Sequence, residues 1–200
     1  MFIDKLVYCS GGDIMPAKKQ ITKDMILTTA FEMLRTRGMD AVNVKSLAKQ
    51  LNCSTQPIYL SFDSMDALRT ILSSMAVDTF LQHIQCGDAA TNLYGMAYIQ
   101  FAQKEKQLFR FLFMRQNSFF ELQEALAPII DSSISQLMKQ YHIEYEEAHH
   151  FHDQLWVHTH GIASMIATDF CDWNMDKVEK MLAESEQYLS RKYGEQNVFK

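Results

Sequence analysis

Apolar residues recur along this chain at the three- and four-residue spacing of amphipathic helices, and no stretch carries a convincing strand pattern. The clearest stripe has steps of i, i+3, i+4 and i+7 and consists of Val44, Leu47, Ala48 and Leu51. Asn43 precedes this stripe, where its side chain is expected to cap the start of a helix. The pattern therefore predicts an all-α fold.

The predicted helices are short in the first part of the chain and longer afterwards. In the first part they span residues 22–37, 44–51, 55–61 and 65 to about 84. In the second part they span residues 88–104, 107–116, 119–141, 144 to about 170 and 175–193. Gly38 is expected to end the first helix, Ser64 or Asp63 to cap the fourth, and Pro128 to kink or split the seventh.

A polar break at residues 52–55 separates the second and third predicted helices. Ser54 is expected to cap the third helix, and Pro57 falls in its first turn, where no backbone donor is needed. Ile58 and Phe62 lie four residues apart and are expected to be buried together. Two short helices joined by a tight polar turn form the layout of a helix-turn-helix that reads DNA.

Composition narrows the class of protein. The 200 residues are 48% apolar with only seven Gly and three Pro, which excludes a disordered chain and favours long helices. No run approaches the roughly 18 uninterrupted apolar residues of a membrane helix, and Asp4 and Lys5 interrupt any signal peptide. The four cysteines have neither metal spacing nor a disulfide framework. We therefore expect a cytoplasmic protein without membrane contact.

The net charge of −5 is unevenly spread along the chain. Residues 16–70 carry eight Lys and Arg against five Asp and Glu, whereas residues 71–200 carry ten against seventeen. A basic first part followed by an acidic second part, residues 71–200, here called the body, indicates that the first part binds a polyanion. Residues 1–14 lack periodicity, and we interpret residues 1–17 as a disordered or non-native extension and the beginning of a basic arm. The lysines of this arm are Lys18, Lys19 and Lys23.

Residues 38–68 resemble the DNA-binding segment of the TetR-like (tetracycline-repressor or AcrR-type) transcriptional regulators. The matching positions are Gly38, Leu47, Ala48, Ser54, Ile58, Tyr59, Phe62, Ser64 and Leu68. The resemblance is strong from residue 19 to about residue 80. Beyond that it is one of architecture, a run of helices that ends in two long ones, although the segment from Trp156 to Gly161 is similar to a motif of some members.

Several positions depart from the family pattern. Asn52 stands where the family usually has Gly, and Asn is the best substitute for Gly at a left-handed turn. Gln56 replaces a small residue and Ser61 a common His. Met65 replaces a frequent Lys, which in the family commonly contacts a DNA phosphate.

The resemblance implies that the third helix enters the major groove of a double-stranded DNA operator. Thr55 and Gln56 would then face base edges, where Gln can bond adenine in two places and Thr can contact thymine. The other residues predicted to contact DNA are Pro57 and Leu60, which add apolar surface, and Lys45, Ser46, Tyr59 and Ser61, which are placed for phosphate.

The resemblance also implies a repressor that binds a palindromic operator as a homodimer, paired through the last two helices. Residues 18–80 would form the DNA-binding domain, and residues 81–200 the domain that dimerises and binds a small-molecule effector. The aromatic stretch at 109–120 suits an adaptable apolar pocket. The candidate ligand-binding residues are Phe101, Phe109, Phe113, Trp156 and His160.

A cluster of histidines near residues 149–160 supports alternatives. On a helix one face would carry His149, His152, Asp153, Trp156 and His160. His and carboxylate at such steps can bind zinc or another divalent ion, which leaves a metal- or pH-responsive regulator or a metalloenzyme open. No HExxH motif and no nucleophile or base constellation appears. We therefore predict no catalytic residues, no cofactor and no bound metal.

Overall fold

The computed structural model describes residues 20–86, 94–116 and 118–194, and within these ranges the protein is all-α, as predicted. The expectations for residues 1–17, Lys18, Lys19 and the beginning of the fifth predicted helix lie outside the described residues. In chain order the helices are α1 (Lys23–Arg37), α2 (Val44–Leu51), α3 (Gln56–Ser61), α4 (Met65–Cys86), α5 (Gly95–Lys104), α6 (Lys106–Phe113), α7 (Ser118–Tyr141), α8 (Tyr145–Ala167) and α9 (Met175–Gly194).

Local side-chain chemistry sets several helix ends. Thr22, Asn43 and Ser64 each accept a hydrogen bond from the backbone amide three residues further on, at 3.2, 3.0 and 3.0 Å. Gly38 ends α1 with a φ of +82°, a conformation that disfavours any residue with a Cβ. The caps predicted at Asn43 and Ser64 and the stop at Gly38 are thus confirmed.

One local prediction is wrong, and one of two predicted alternatives is excluded. The prediction that Ser54 caps α3 is wrong, because Thr55 is the N-cap residue and no side chain caps this helix. The backbone of Thr55 is already helical, and its carbonyl accepts bonds from the next turn, so the Ser54 hydroxyl is one residue out of register. Of the kink or split predicted at Pro128, the split is excluded, because α7 continues through this residue from Ser118 to Tyr141.

The long helix α4 belongs to two parts of the molecule. It packs against α1 near its beginning and against α5 and α6 further along. Every fourth residue on one side of it is buried, namely Leu68, Leu72, Ala76, Phe80 and Ile84. One continuous buried core therefore runs from the helices around the helix-turn-helix into the body.

The helix α8 is the centre of the body. It packs against α5, α6, α7 and α9. A second, smaller core holds the far end of the α7–α8 hairpin against the end of α9, with Phe151 and Tyr193 stacked at a ring-centroid distance of 5.3 Å. Among the described residues, no helix is both long and apolar enough to cross a membrane.

A polar contact adds to the apolar packing between α1 and the body. Arg35 donates from Nε to Glu105 Oε2 at 3.0 Å and makes a second, shorter bond through Nη2 to Oε1. Glu105 occupies the junction of α5 and α6, so this fork-to-fork pair fixes the orientation of α1. Arg35 also pairs with Glu32 on its own helix at 3.1 Å.

We expect Glu105→Gln to destabilise the protein, because it removes one charge from a partly buried bidentate pair. The Glu105 side chain is 17% exposed, whereas that of Glu32 is 55% exposed. Thermal unfolding should show a loss of about 1 kcal/mol, or roughly 2–4 °C, for Glu105→Gln. The matched control Glu32→Gln should change stability by less than about 0.5 kcal/mol. Equal effects of the two substitutions would contradict this account.

Candidate nucleic-acid interface and internal cavity

The turn between α2 and α3 is built by one left-handed residue. Asn52 has φ of +51° and ψ of +51°, the conformation that Gly or Asn adopts at least cost. Behind the turn, Leu47 and Ala48 of α2 and Ile58 of α3 are buried. This packing holds α3 across α2 and leaves its other faces outside the core.

The outward face of α3 carries most of the residues predicted to contact DNA. Thr55 and Gln56 are exposed at its beginning. Tyr59 and Leu60 are 66% and 80% exposed and lie next to each other on the helix. This short helix therefore presents polar and apolar side chains together on the surface.

The remaining predicted DNA contacts lie beside this face or are partly used inside the protein. Pro57 and Ser61 are half-buried, and the Ser61 hydroxyl donates to the Pro57 carbonyl at 2.8 Å. Lys45 is exposed and Ser46 half-buried in the first turn of α2, where amide groups and the helix dipole favour phosphate. Met65, which replaces a Lys frequent in the family, packs against the core.

A cavity of about 290 Å³ lies inside the body. Its walls come from α4, the beginning of α5, the end of α6, and the facing sides of α7 and α8. The α7 side is largely aliphatic and contributes Leu122, Leu126, Ile129, Ile130 and Ser133. The size is close to the lower end of small-molecule pockets in proteins, about 300 Å³.

The inner end of the cavity is aromatic. The rings of Phe80, Tyr98 and Phe113 form a mutually packed group with centroid distances of 5.0–5.8 Å. The Tyr98 hydroxyl pairs with Nδ1 of His160 at 2.9 Å, and Trp156 stacks on the His160 ring at 5.3 Å. Burial raises the pKa of Tyr98 and lowers that of His160, so both groups are held uncharged.

The other end of the cavity is polar and lies at the beginning of α8. Asp153 Oδ2 is 3.2 Å from Nδ1 of His149, and Asp153 Oδ1 is 3.7 Å from Nδ1 of His152, too far for a hydrogen bond. The buried Nδ1 of His152 has no hydrogen-bond partner within the described part of the chain. Burial is the main cause that lowers the pKa of His152.

The structure brings together three of the five residues predicted to bind a ligand. Phe113, Trp156 and His160 line the cavity. Phe101 and Phe109 do not line it, because both are fully buried behind its aromatic end. Phe101 lies 5.1 Å from the Phe80 ring, and Phe109 lies 5.3 Å from the Tyr98 ring.

Sequence reasoning missed Tyr98 and the α7 wall of the cavity. The α7 residues recur with helical spacing, but that spacing does not distinguish a wall of a cavity from a filled core. His149, His152 and Asp153 were singled out as a possible metal-binding face. They do share a face, and this face is a wall of the cavity.

The histidine cluster does not converge on one point. His150 packs edge-on against Tyr193, and His158 faces α9 beside Met181 and Tyr188. Within the described ranges, no group of three or more His, Cys, Asp or Glu residues is placed to hold a metal ion.

The stability of the body should depend on pH through His160. Because burial lowers its pKa, the folded protein keeps this imidazole neutral, whereas the unfolded chain takes up the proton below about pH 6.5. Stability contributed by the neutral ring is therefore present above that pH and lost as the pH falls through it. The melting temperature should drop between pH 7.5 and 5.5, and His160→Gln should reduce this drop by roughly 2–4 °C.

The exposed His150 offers a matched control. His150→Gln should retain the pH dependence of the wild-type protein in the same melting experiment. An identical pH dependence in the wild-type and His160→Gln proteins would contradict the proposed role of burial.

Comparison with known proteins agrees with both halves of the structure. Residues 26–70, which include the helix-turn-helix, match the family model described as "Bacterial regulatory proteins, tetR family". Residues 93–185, which include most of the body, match the model described as "Tetracyclin repressor-like, C-terminal domain". No curated protein matches the chain.

Proposed function

Since this chain belongs to the TetR family and is a DNA-binding transcriptional regulator, we propose that it is a cytoplasmic, ligand-responsive repressor that binds a palindromic operator as a homodimer. The main support is the exposed face of α3, where Thr55, Gln56, Tyr59 and Leu60 stand clear of the core. We propose that it acts by binding alone and assign no catalytic residue.

The proposed contacts divide by chemistry. Thr55 and Gln56 at the beginning of α3 read base edges in the major groove. Pro57 and Leu60 pack against apolar parts of the groove. Lys45, Ser46 and Tyr59 hold the sugar-phosphate backbone and position α3, without selecting sequence themselves. Ser61 joins them when its hydroxyl turns from the Pro57 carbonyl toward a phosphate.

A gel-shift titration with DNA that flanks the protein's own gene tests this division. Gln56→Ala should reduce discrimination between operator and mismatched DNA by roughly 5- to 100-fold, the effect of one base contact. Its affinity for unrelated DNA should change little. The control Gln123→Ala, at an exposed position on α7, should leave both affinities unchanged.

Tyr59→Ala should instead weaken binding to operator and unrelated DNA by similar factors, because phosphate contacts carry no sequence information. Tyr145→Ala removes an exposed tyrosine from α8 and provides the matched control. Unchanged affinity and specificity in both the Gln56 and Tyr59 variants would contradict the placement of α3 in the groove.

Pairing of two chains is supported by the outer faces of α8 and α9. On α8 an outward stripe with steps of 3, 4, 7 and 11 comprises Gln154, Val157, His158, Gly161 and Met165. On α9 a matching stripe comprises Met181, Glu184, Ser185 and Tyr188, the last of which is 70% exposed. Two such pairs of stripes can form a four-helix interface, which places two α3 helices on one palindrome.

Gly161 provides a sharp test of this interface. A Cβ at this position would meet no atom within 4 Å, so the monomer has room for a larger residue. Gly161→Arg should therefore preserve helicity and melting of the monomer but shift the mass measured by light scattering from dimer to monomer. Gly161→Ala should remain dimeric, and Gln123→Arg controls for the added charge. A wild-type monomer, or a dimeric Gly161→Arg protein, would contradict the proposed interface.

The proposed regulation runs through α4. Phe80 and Ile84 near the end of this helix line the cavity, and its beginning follows α3 closely along the chain. A ligand that favours one position of Phe80 and Ile84 would change the spacing of the two DNA-binding heads. It can do so only to the extent that it binds one arrangement more tightly than the other.

A further inference from the structure

We propose that the cavity selects an amphipathic cation, with a flat apolar body at the aromatic end and a positively charged head beside Asp153. The inference rests on the proposed function for its regulatory meaning, since the bound cation would be the effector. Two observations support it: the two ends of the cavity differ in chemistry, and α7 and α8 run antiparallel.

The two ends of the cavity differ because α7 and α8 form an antiparallel hairpin. They are joined by the short connection at residues 142–144 and pack along their length. Leu122 and Leu126 of α7 therefore lie toward the Thr159 end of α8, whereas Ser133 lies toward the His149 end. A molecule held between these helices has one end among aromatic rings and the other among polar groups.

The aromatic end suits a flat ring. Phe80, Tyr98 and Phe113 are packed edge to face or tilted, and the polar atoms of Tyr98 and His160 are bonded to each other. Because the Tyr98 hydroxyl and Nδ1 of His160 are hydrogen-bonded to each other, a ligand needs no polar group at this end of the cavity. Apolar surface buried there contributes to affinity in proportion to its area.

The polar end favours positive over negative charge. Asp153 is half-exposed at the cavity wall, and no Lys or Arg is among the described residues that line the cavity. The half-buried His152 does not supply a compensating charge, because burial lowers its pKa. An anionic head would thus meet the Asp153 carboxylate with no Lys or Arg beside it in the described lining, whereas an ammonium can donate to Asp153 Oδ1, since Oδ2 is the oxygen that contacts His149 at 3.2 Å.

A series of three probes with one ring system separates charge from shape. We suggest 1-naphthylmethylammonium, 1-naphthylmethanol and 1-naphthoate, titrated into the full chain by calorimetry or ligand-observed NMR at pH 8, where histidine is uncharged. The cation should bind about tenfold more tightly than the anion, with the neutral alcohol between them.

Substitution of the carboxylate tests the assigned contact. Asp153→Asn should weaken binding of the cation by roughly five- to tenfold, as expected for loss of a partly exposed charge-assisted bond. Binding of the alcohol should weaken less than that of the cation, since a neutral hydroxyl can donate to the carboxylate but carries no net charge for it to attract. The control Asp131→Asn removes an exposed carboxylate of α7 outside the cavity and should change neither.

Three results would overturn the inference: tighter or equal binding of the anion, the same loss for all three probes in Asp153→Asn, or no binding of any probe to folded protein. Failure of the proposed function is distinguishable from each of these. If the protein binds the cation through Asp153 but does not bind DNA, the proposed ligand class stands and the proposed function is wrong. If the protein binds its operator but none of the probes, the proposed function stands and the proposed ligand class is wrong.

Discussion

The structure depends most on the burial of one uninterrupted side of α4. Its residues at every fourth position from Leu68 to Ile84 are buried first near α1 and then among the aromatic side chains of the body. Since a well-packed core does not deform gradually, a rigid helix shared by two regions couples their positions. The fork between Arg35 and Glu105 reinforces the same junction from the side of α1.

The helix α8 combines different environments on its faces. One face lines the cavity with Asp153, Trp156 and His160, whereas an outward face presents Val157 and Met165 to solvent. These faces are only a few residues apart along the chain because a helix turns through about 100° per residue. In the proposed regulator, a ligand and a second chain would therefore contact adjoining faces of the same helix, close enough for one to influence the other.

Much of the fold could be predicted from the sequence, because helices and their ends depend on neighbours a few residues apart. The caps at Asn43 and Ser64 and the stop at Gly38 are of this kind. The cap predicted at Ser54 is wrong for a related reason, since a shift of one residue in the helix start changes which side chain can cap it. Pro128 lies inside α7, and the local sequence alone did not distinguish a kinked helix from a broken one.

The DNA-binding face and the cavity depend on contacts between segments that are distant in sequence, which local sequence patterns do not determine. Helical periodicity alone determined that His149, His152, Asp153, Trp156 and His160 share a face, and that Ile58 turns inward while Tyr59 turns outward. Only the tertiary structure decided what each face meets: α7 and an open space opposite the histidines, and filled core around Phe101 and Phe109. The physical reason is that a cavity is a mismatch in packing between segments distant in sequence, and no single segment encodes such a mismatch.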